Sequence, residues 1–393
     1  MLKKLILAAP LAAMLAVPNA QAAGDTIKVG IVLTLTTGAS IIGKNMKAAF
    51  EVAHKHLGGK IGGKKLELIF EDDQFKPGIG KQKTEKLIKK DKVDFLTGYI
   101  FSHILGASAP VGLKAGKIVI SANAGHSIFA GKKCHKNFFN IAWENSQTPM
   151  AMGQLLNQRG VKKLYVLSLN YAAGKQMVTG VERTFKGDII GKDLVPTSHK
   201  DWSAELAKVR AAKPDGVFVF YPGSWGPAFF TQYAQAGLHK TIPLYNVFSI
   251  DGANLPIFQK RKMNHLIGTF NTNFWAPDLD NAANKRFVED FKKHYKGQIP
   301  AHYAAQAYDA LMLIAAGVKA AGGDATNTDA VRKGMEKADF ASVRGKLKFG
   351  KNHFPIQNFY ARQIVNKGGK WQPSVRQIVL EDHAPVMSNQ CKL

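Results

Sequence analysis

VDFLTGYIFSHILGASAPVGLKAGKIVISANAGHS, residues Val93 to Ser127, decides the fold. An apolar run from Val93 to Gly98 breaks at Tyr99 to His103, a small-residue helix follows, and a second β-rich run, Lys117 to Ser121, opens into Ala122 to Ser127. Two strands joined by a crossover helix run parallel, so the unit predicts a parallel sheet. In open sheets of that kind solutes bind beyond the carboxyl ends of the strands, and both ends here carry short polar or small residues. Candidate binding groups therefore fall at Tyr99 to His103 and Asn123 to His126. The plainer reading is that Ser102 and Asn123 only cap a helix and a turn.

Working outward, the same alternation recurs. Ile27 to Leu33 reads as a buried strand, Thr34 to Gly43 as a Thr/Gly loop and Lys44 to Leu57 as a helix ended by Gly58-Gly59. Leu66 to Gln74 is the next strand. Its Glu71, Asp72 and Asp73 point to alternate faces of an extended chain, which makes them a polar strand end and not a metal site. Beyond Asn140 the pattern restarts with strands at Lys162 to Asn170, Asp215 to Tyr221 and Pro243 to Ser249, separated by helices at Gly174 to Phe185, Trp202 to Ala212 and Pro227 to Ala236. Three helices follow a strand-like crossing segment at His265 to Trp275, and Asn358 to Leu380 reads as a hairpin turning on Gly368-Gly369.

The fold class expected is thus α/β, with two lobes, each on a parallel sheet; the family resemblance given below implies that both are Rossmann-like. Three short crossings near Ile141 to Glu144, Thr269 to Trp275 and Arg344 to Lys348 would join them. The expected organisation is a signal peptide over 1–22, an N-terminal lobe from 27–140 plus 275–344, and a C-terminal lobe from 145–268 plus 349–393.

Composition narrows the setting. Lys3 and Lys4 precede an apolar stretch from Leu5 to Val17, and Ala20-Gln21-Ala22 supplies small residues for cleavage, so the mature chain is expected to be exported. The apolar stretch is too short for a comfortable membrane span. Lys and Arg number 54 against 28 Asp and Glu, a net charge of +26. These charges are scattered and form no stripe with interleaved aromatics, which argues against a nucleic-acid groove. Such a surface attracts anionic solutes or membranes, or is simply solvated. The two cysteines, Cys134 and Cys391, either pair in an oxidising compartment or stay free.

IKVGIVLTLTTGASIIGKNMKAAFEVA, LELIFEDDQ, DWSAELAKVRAAKPDGVFVF and AAQAYDALMLIAA, in this order behind the export signal, resemble the branched-chain amino acid binding proteins. These are the type I periplasmic solute-binding components of ABC transporters. The resemblance implies a small-molecule solute trapped in a cleft between closing lobes, an ABC transporter permease in the inner membrane as partner, and a monomer without cofactor or metal. Carried over by residue, the family's carboxylate-binding loop falls on Phe101, Ser102 and His103, and its second small-residue loop on Asn123 and Ala124. The aromatic that opens the second lobe falls on Tyr171 and its strand-end aromatic on Tyr221. The acid that holds an α-ammonium should lie near Asn246 to Ser249, where the chain has Asn-Val-Phe-Ser with Asp251 as the nearest carboxylate. That departure favours a carboxylate without an ammonium. Tyr99, Phe101, His103, Tyr171, Tyr221, Trp225, Phe248 and Trp275 are aromatics that could sandwich a ring, the alternative being ordinary core packing. His103 could strengthen carboxylate binding through a ring N–H.

An exported enzyme is the rival from another class. No G-x-S-x-G, Walker A, H-E-x-x-H or G-x-G-x-x-G after the first strand supports it. A sensor that docks onto a membrane receptor would use the same cleft and differ only in its partner.

Overall fold

The structure, a computed structural model, describes residues 25–393; the expected signal peptide at 1–22 lies outside the described residues. Two sheets organise the chain. The first contains β1 (Thr26–Leu33), β2 (Lys60–Ile61), β3 (Lys64–Asp72), β4 (Phe95–Gly98), β5 (Ile118–Ser121) and β6 (Phe138–Asn140), in the order β2-β3-β1-β4-β5-β6. All neighbours are parallel except β2, which runs against β3. The strand–helix–strand unit that anchored the sequence reading forms its centre: β4, the helix Ser102–Lys114, then β5, paired from Phe95 with Ile118 to Gly98 with Ser121. Both of these strands are buried throughout, as strands covered by helices on both faces must be.

The second sheet is built on β7 (Lys163–Leu169), β8 (Asp188–Val195), β9 (Gly216–Phe220), β10 (Leu244–Val247) and β11 (Phe270–Asn273), which run parallel. The strands β12 (Lys348–Phe349), β13 (Pro355–Lys367) and β14 (Lys370–His383) extend it antiparallel beside β11. The β13–β14 hairpin turns on Gly368 and Gly369, both at positive φ (57° and 80°), as a two-residue turn between twisted strands requires.

Two boundaries differ from the sequence reading for physical reasons. The first helix begins at Ser40, before the expected Lys44, so the Thr/Gly loop is shorter. Gly43 sits inside that helix because the helix crosses the end of β1 there; a Cβ would lie 2.0 Å from the Thr34 carbonyl oxygen. The stretch expected to cross at Thr269 to Trp275 is mostly strand β11 of the second sheet. Arg362 of β13 donates to Asn271 (2.8 Å) and to the Trp275 carbonyl (2.6 Å), holding the chain in that sheet until Asn273.

Glu71, Asp72 and Asp73 take separate partners: Lys83 and Lys86, the Leu35 amide and Thr36, and Thr34 with the Phe75 amide, respectively. Cys134 and Cys391 form a disulfide, with Cα atoms 5.6 Å apart. It ties the tail after β14 to the first sheet's side of the molecule, 257 residues away in sequence. Among the described residues no helix is long and apolar enough to cross a membrane.

A disulfide closing so long a loop constrains the unfolded chain strongly. Cys391→Ser should lower unfolding free energy by about 2–5 kcal/mol in urea titrations without reductant. Thiol titration of the unaltered, unfolded and unreduced chain should find no free thiol.

Candidate functional site

Every parallel strand ends on the edge its loops leave from, and those edges of the two sheets face each other. Between them lies a narrow slot: about 310 Å³ of space separates the lining atoms, of which about 20 Å³ admits the centre of a water molecule. Phe101, Ser102, Asn123 and Ala124 line it from the loops after β4 and β5. Tyr171, Phe220 and Phe248 line it from the loops after β7, β9 and β10. Trp143 and Asn145, on the segment leaving β6, and Tyr303, on the helix His302–Ala320, complete the wall.

The backbone at these strand ends is constrained. Tyr99 (φ 60°), Phe248 (φ 57°) and Phe75 (φ 62°) are bulky residues in the left-handed region, following β4, β10 and β3. Each such conformation costs on the order of 1–3 kcal/mol and persists only where the surroundings enforce it. At Phe75 the enforcing group is visible, since Asp73 Oδ1 accepts its amide at 2.8 Å.

Polar groups on the first-sheet side are few and oriented. Asn145 Nδ2 donates to Ser102 Oγ (3.0 Å) and to Gln176 Oε1 (2.6 Å), while Asn145 Oδ1 accepts from Trp143 Nε1 (3.1 Å). With its oxygen accepting from Asn145, the Ser102 hydroxyl keeps its hydrogen free to donate. Ser102 also opens a helix whose first backward-bonding amides, those of Ile104 and Leu105, both reach the Phe101 carbonyl. The amides of Ser102 and His103 are therefore unpaired. The helix Ala172–Thr184, whose Ala173 lines the slot, likewise begins with unpaired amides, because Lys175 is the first to bond back, to Tyr171. Two helix amino ends thus approach one slot, each with a partial positive charge. Among the described residues, no Asp, Glu, His, Lys or Arg side chain lines it.

Six of the eight sequence-nominated residues come together in this wall: Phe101, Ser102, Asn123, Ala124, Tyr171 and Phe248. Tyr221 does not. Side chains alternate along a strand, so Phe220 faces the slot while Tyr221 turns into the core against Trp202 and Phe229, at centroid distances of 5.3 and 4.8 Å. His103 stands outside the lining. Its ring packs edge-on to Phe75 (4.8 Å) and Tyr171 (5.5 Å), and burial lowers its pKa, so the imidazole is neutral. The mouth is closed by aromatics from both sides, Phe75 lying 5.6 Å from Trp225 and Phe101 6.3 Å from Tyr171. Trp275 is core, donating to Asn284. Trp143, Asn145, Phe220 and Tyr303 were missed. Only the Trp-Glu-Asn run after β6 offered a signal, as a cluster of large and polar residues in an expected crossing.

Residues 26–370 match the family described as periplasmic binding protein, and the chain belongs to it. It is similar to a solute-binding protein of an ABC transporter from R. palustris, solved in complex with benzoate: 31% identity, TM-score 0.86, covering 94% of this chain and all of that one. A solute-binding protein from Rhodopseudomonas palustris BisB5, solved with 3,4-dihydroxybenzoic acid, is 27% identical with a TM-score of 0.84, over 91% of this chain and 99% of that one. Leu/Ile/Val-binding protein homolog 6 of Brucella abortus is 26% identical over 378 residues, 93% of each chain. The fold is that of the type I periplasmic binding proteins.

Burial raises the Asp73 carboxyl to about 6, from an ordinary 3.8. A folded-state pKa above the unfolded one stabilises the fold below the unfolded value, and that contribution is lost as pH rises through the folded value. Asp73→Asn keeps an acceptor for Thr34 and Phe75 but does not titrate. Its melting temperature relative to the unaltered chain should therefore rise between pH 4 and pH 6.5; a constant difference would show that Asp73 titrates alike in both states.

Proposed function

We propose that the chain is the exported solute-binding protein of an ABC importer, working in the periplasm, and that it traps an aromatic carboxylate between two closing lobes. The observation that carries this reading is the lining of the slot: aromatic walls, two sets of unpaired helix-terminal amides, a donating serine, and no charged side chain among the described residues. Amides and a hydroxyl suit a carboxylate, and a narrow aromatic slot suits a flat ring. The likeness to a benzoate-bound protein over nearly the whole chain supports the same class.

A branched-chain amino acid fits less well. Its ammonium needs an acceptor of negative charge, and Asp251, the nearest carboxylate to the expected position, is buried outside the lining. The lobes are proposed to be 27–140 plus 275–344 and 145–268 plus 349–393, the second extended by β11, which pairs with β10 and β13. Ser102, Asn123, Ala124, Tyr171, Phe101 and Phe248 serve as the solute contacts, with Asn145 positioning Ser102. Binding, not catalysis, is the role of these groups, and an inner-membrane permease receives the closed form of what we take to be a monomer.

Titration calorimetry of the mature chain with benzoate and with leucine tests the class; tight leucine binding without benzoate binding would overturn it. Ser102→Ala removes a hydrogen bond to a charged group and should weaken benzoate binding by about 1.5–3 kcal/mol, tenfold to a hundredfold. Small-angle scattering should show a smaller radius with the solute than without it, and an unchanged radius at saturation would count against closure.

A further inference from the structure

Behind the slot lies a group of buried polar atoms without partners. Tyr303 lines the slot, and its buried hydroxyl has no hydrogen-bond partner among the described residues. Asp251 Oδ2, both ring nitrogens of His302 and Arg362 Nη2 are buried and unpartnered as well. Asp251 is fixed by its other oxygen, which accepts the Ala253 amide at 2.8 Å, and Oδ2 stands 3.9 Å from His302 Nδ1. His302 stacks on Phe248, a wall of the slot, at 4.4 Å. An unpaired buried donor or acceptor costs about 1–3 kcal/mol, so a cluster of them beside a solute cavity calls for an occupant.

We propose that Tyr303 is a specificity-determining residue of the slot: its hydroxyl accepts a hydrogen bond from a ring hydroxyl of the solute, with Asp251 positioning it, so that the chain selects hydroxylated aromatic acids. This rests on the aromatic-acid reading above. A tyrosine hydroxyl carries one donor and two acceptor positions. An ionised Asp251 offers a place for the donor, which leaves the lone pairs for the slot. Those lone pairs require a donor, and among aromatic acids a phenolic hydroxyl supplies one where an unsubstituted ring does not. Tyr303 and Asp251 stop short of a hydrogen bond in the structure, yet each perturbs the other's ionisation. Burial raises the Asp251 carboxyl to about 6, so at neutral pH its anionic form prevails. A site built to hydrogen-bond a hydroxyl rejects the analogue that lacks it, because its own buried group then stays unpaired.

The test is titration calorimetry of the mature chain with benzoate and with the 2-, 3- and 4-hydroxybenzoates, repeated on Tyr303→Phe and Asp251→Asn after circular dichroism has shown each to be folded. In the unaltered chain one hydroxylated isomer should bind about tenfold tighter than benzoate, the worth of one buried hydrogen bond. Tyr303→Phe should reduce that ratio to near one, and Asp251→Asn should reduce it in the same direction. Equal affinities for all four acids in the unaltered chain, or a ratio that survives Tyr303→Phe, overturns the role of Tyr303 and leaves the aromatic-acid reading standing. If none of the four acids binds the unaltered chain, the aromatic-acid reading itself falls, and this inference with it.

Discussion

Parallel pairing is the constraint from which the rest follows. A strand joined to a parallel neighbour must leave the sheet at the same edge each time, so all the loops that follow β1, β3, β4 and β5 gather on one side, and likewise those after β7, β9 and β10. When two such edges face each other, the parts of the chain with unpaired amides and short side chains converge without further design. The cost is backbone strain. Three bulky residues, Phe75, Tyr99 and Phe248, sit in the left-handed region where their strands end; Phe75 and Phe248 pack against other aromatics, and Tyr99 is fully buried with its hydroxyl on Thr84.

Among the described residues no charged side chain lines the slot, while the chain as a whole carries +26. The surplus of Lys and Arg lies elsewhere, and much of it is exposed, where water and salt screen it. Inside, an anion would be held by fixed dipoles, the amino ends of two helices and a serine oriented by Asn145. Dipoles of this kind add no mobile cation that must itself be desolvated. Asp251 and Arg362, two buried charged residues beside Tyr303, stand outside the lining. Desolvation drives each toward neutrality, raising Asp251 to about 6 and lowering Arg362 to about 10.

The alternation of strands and helices was legible because the buried strands are nearly unbroken apolar runs, as in IKVGIVL and GVFVF, and several of the helices between them are followed closely by glycine, as at Gly58, Gly116 and Gly237. Loop positions that follow a strand directly, such as Ser102, Asn123 and Tyr171, could be placed for the same reason. Tyr221 illustrates where this stops. Two adjacent aromatics at a strand end point to opposite faces, and without the register either could be the wall; Phe220 is. His103 misled differently, since sequence does not show that a neighbouring Phe75 bends back over it and strips it of water. Asn145 and Tyr303 were out of reach because they come from a crossing and from a helix start, segments whose distance from the strand ends is set only by tertiary packing.

Contacts across the slot suit a reversible closure. Phe75 against Trp225 and Phe101 and His103 against Tyr171 join groups from opposite sides of the slot, while Asn145, where the chain crosses, bonds to both Ser102 and Gln176. Aromatic edge contacts contribute about 0.5–1.5 kcal/mol each beyond the area they bury, and one neutral hydrogen bond about the same. A handful of such contacts is comparable with the free energy that a small solute supplies on binding, so neither the open nor the closed arrangement need dominate without it. Keeping the mouth aromatic and the lining uncharged leaves the balance to the solute.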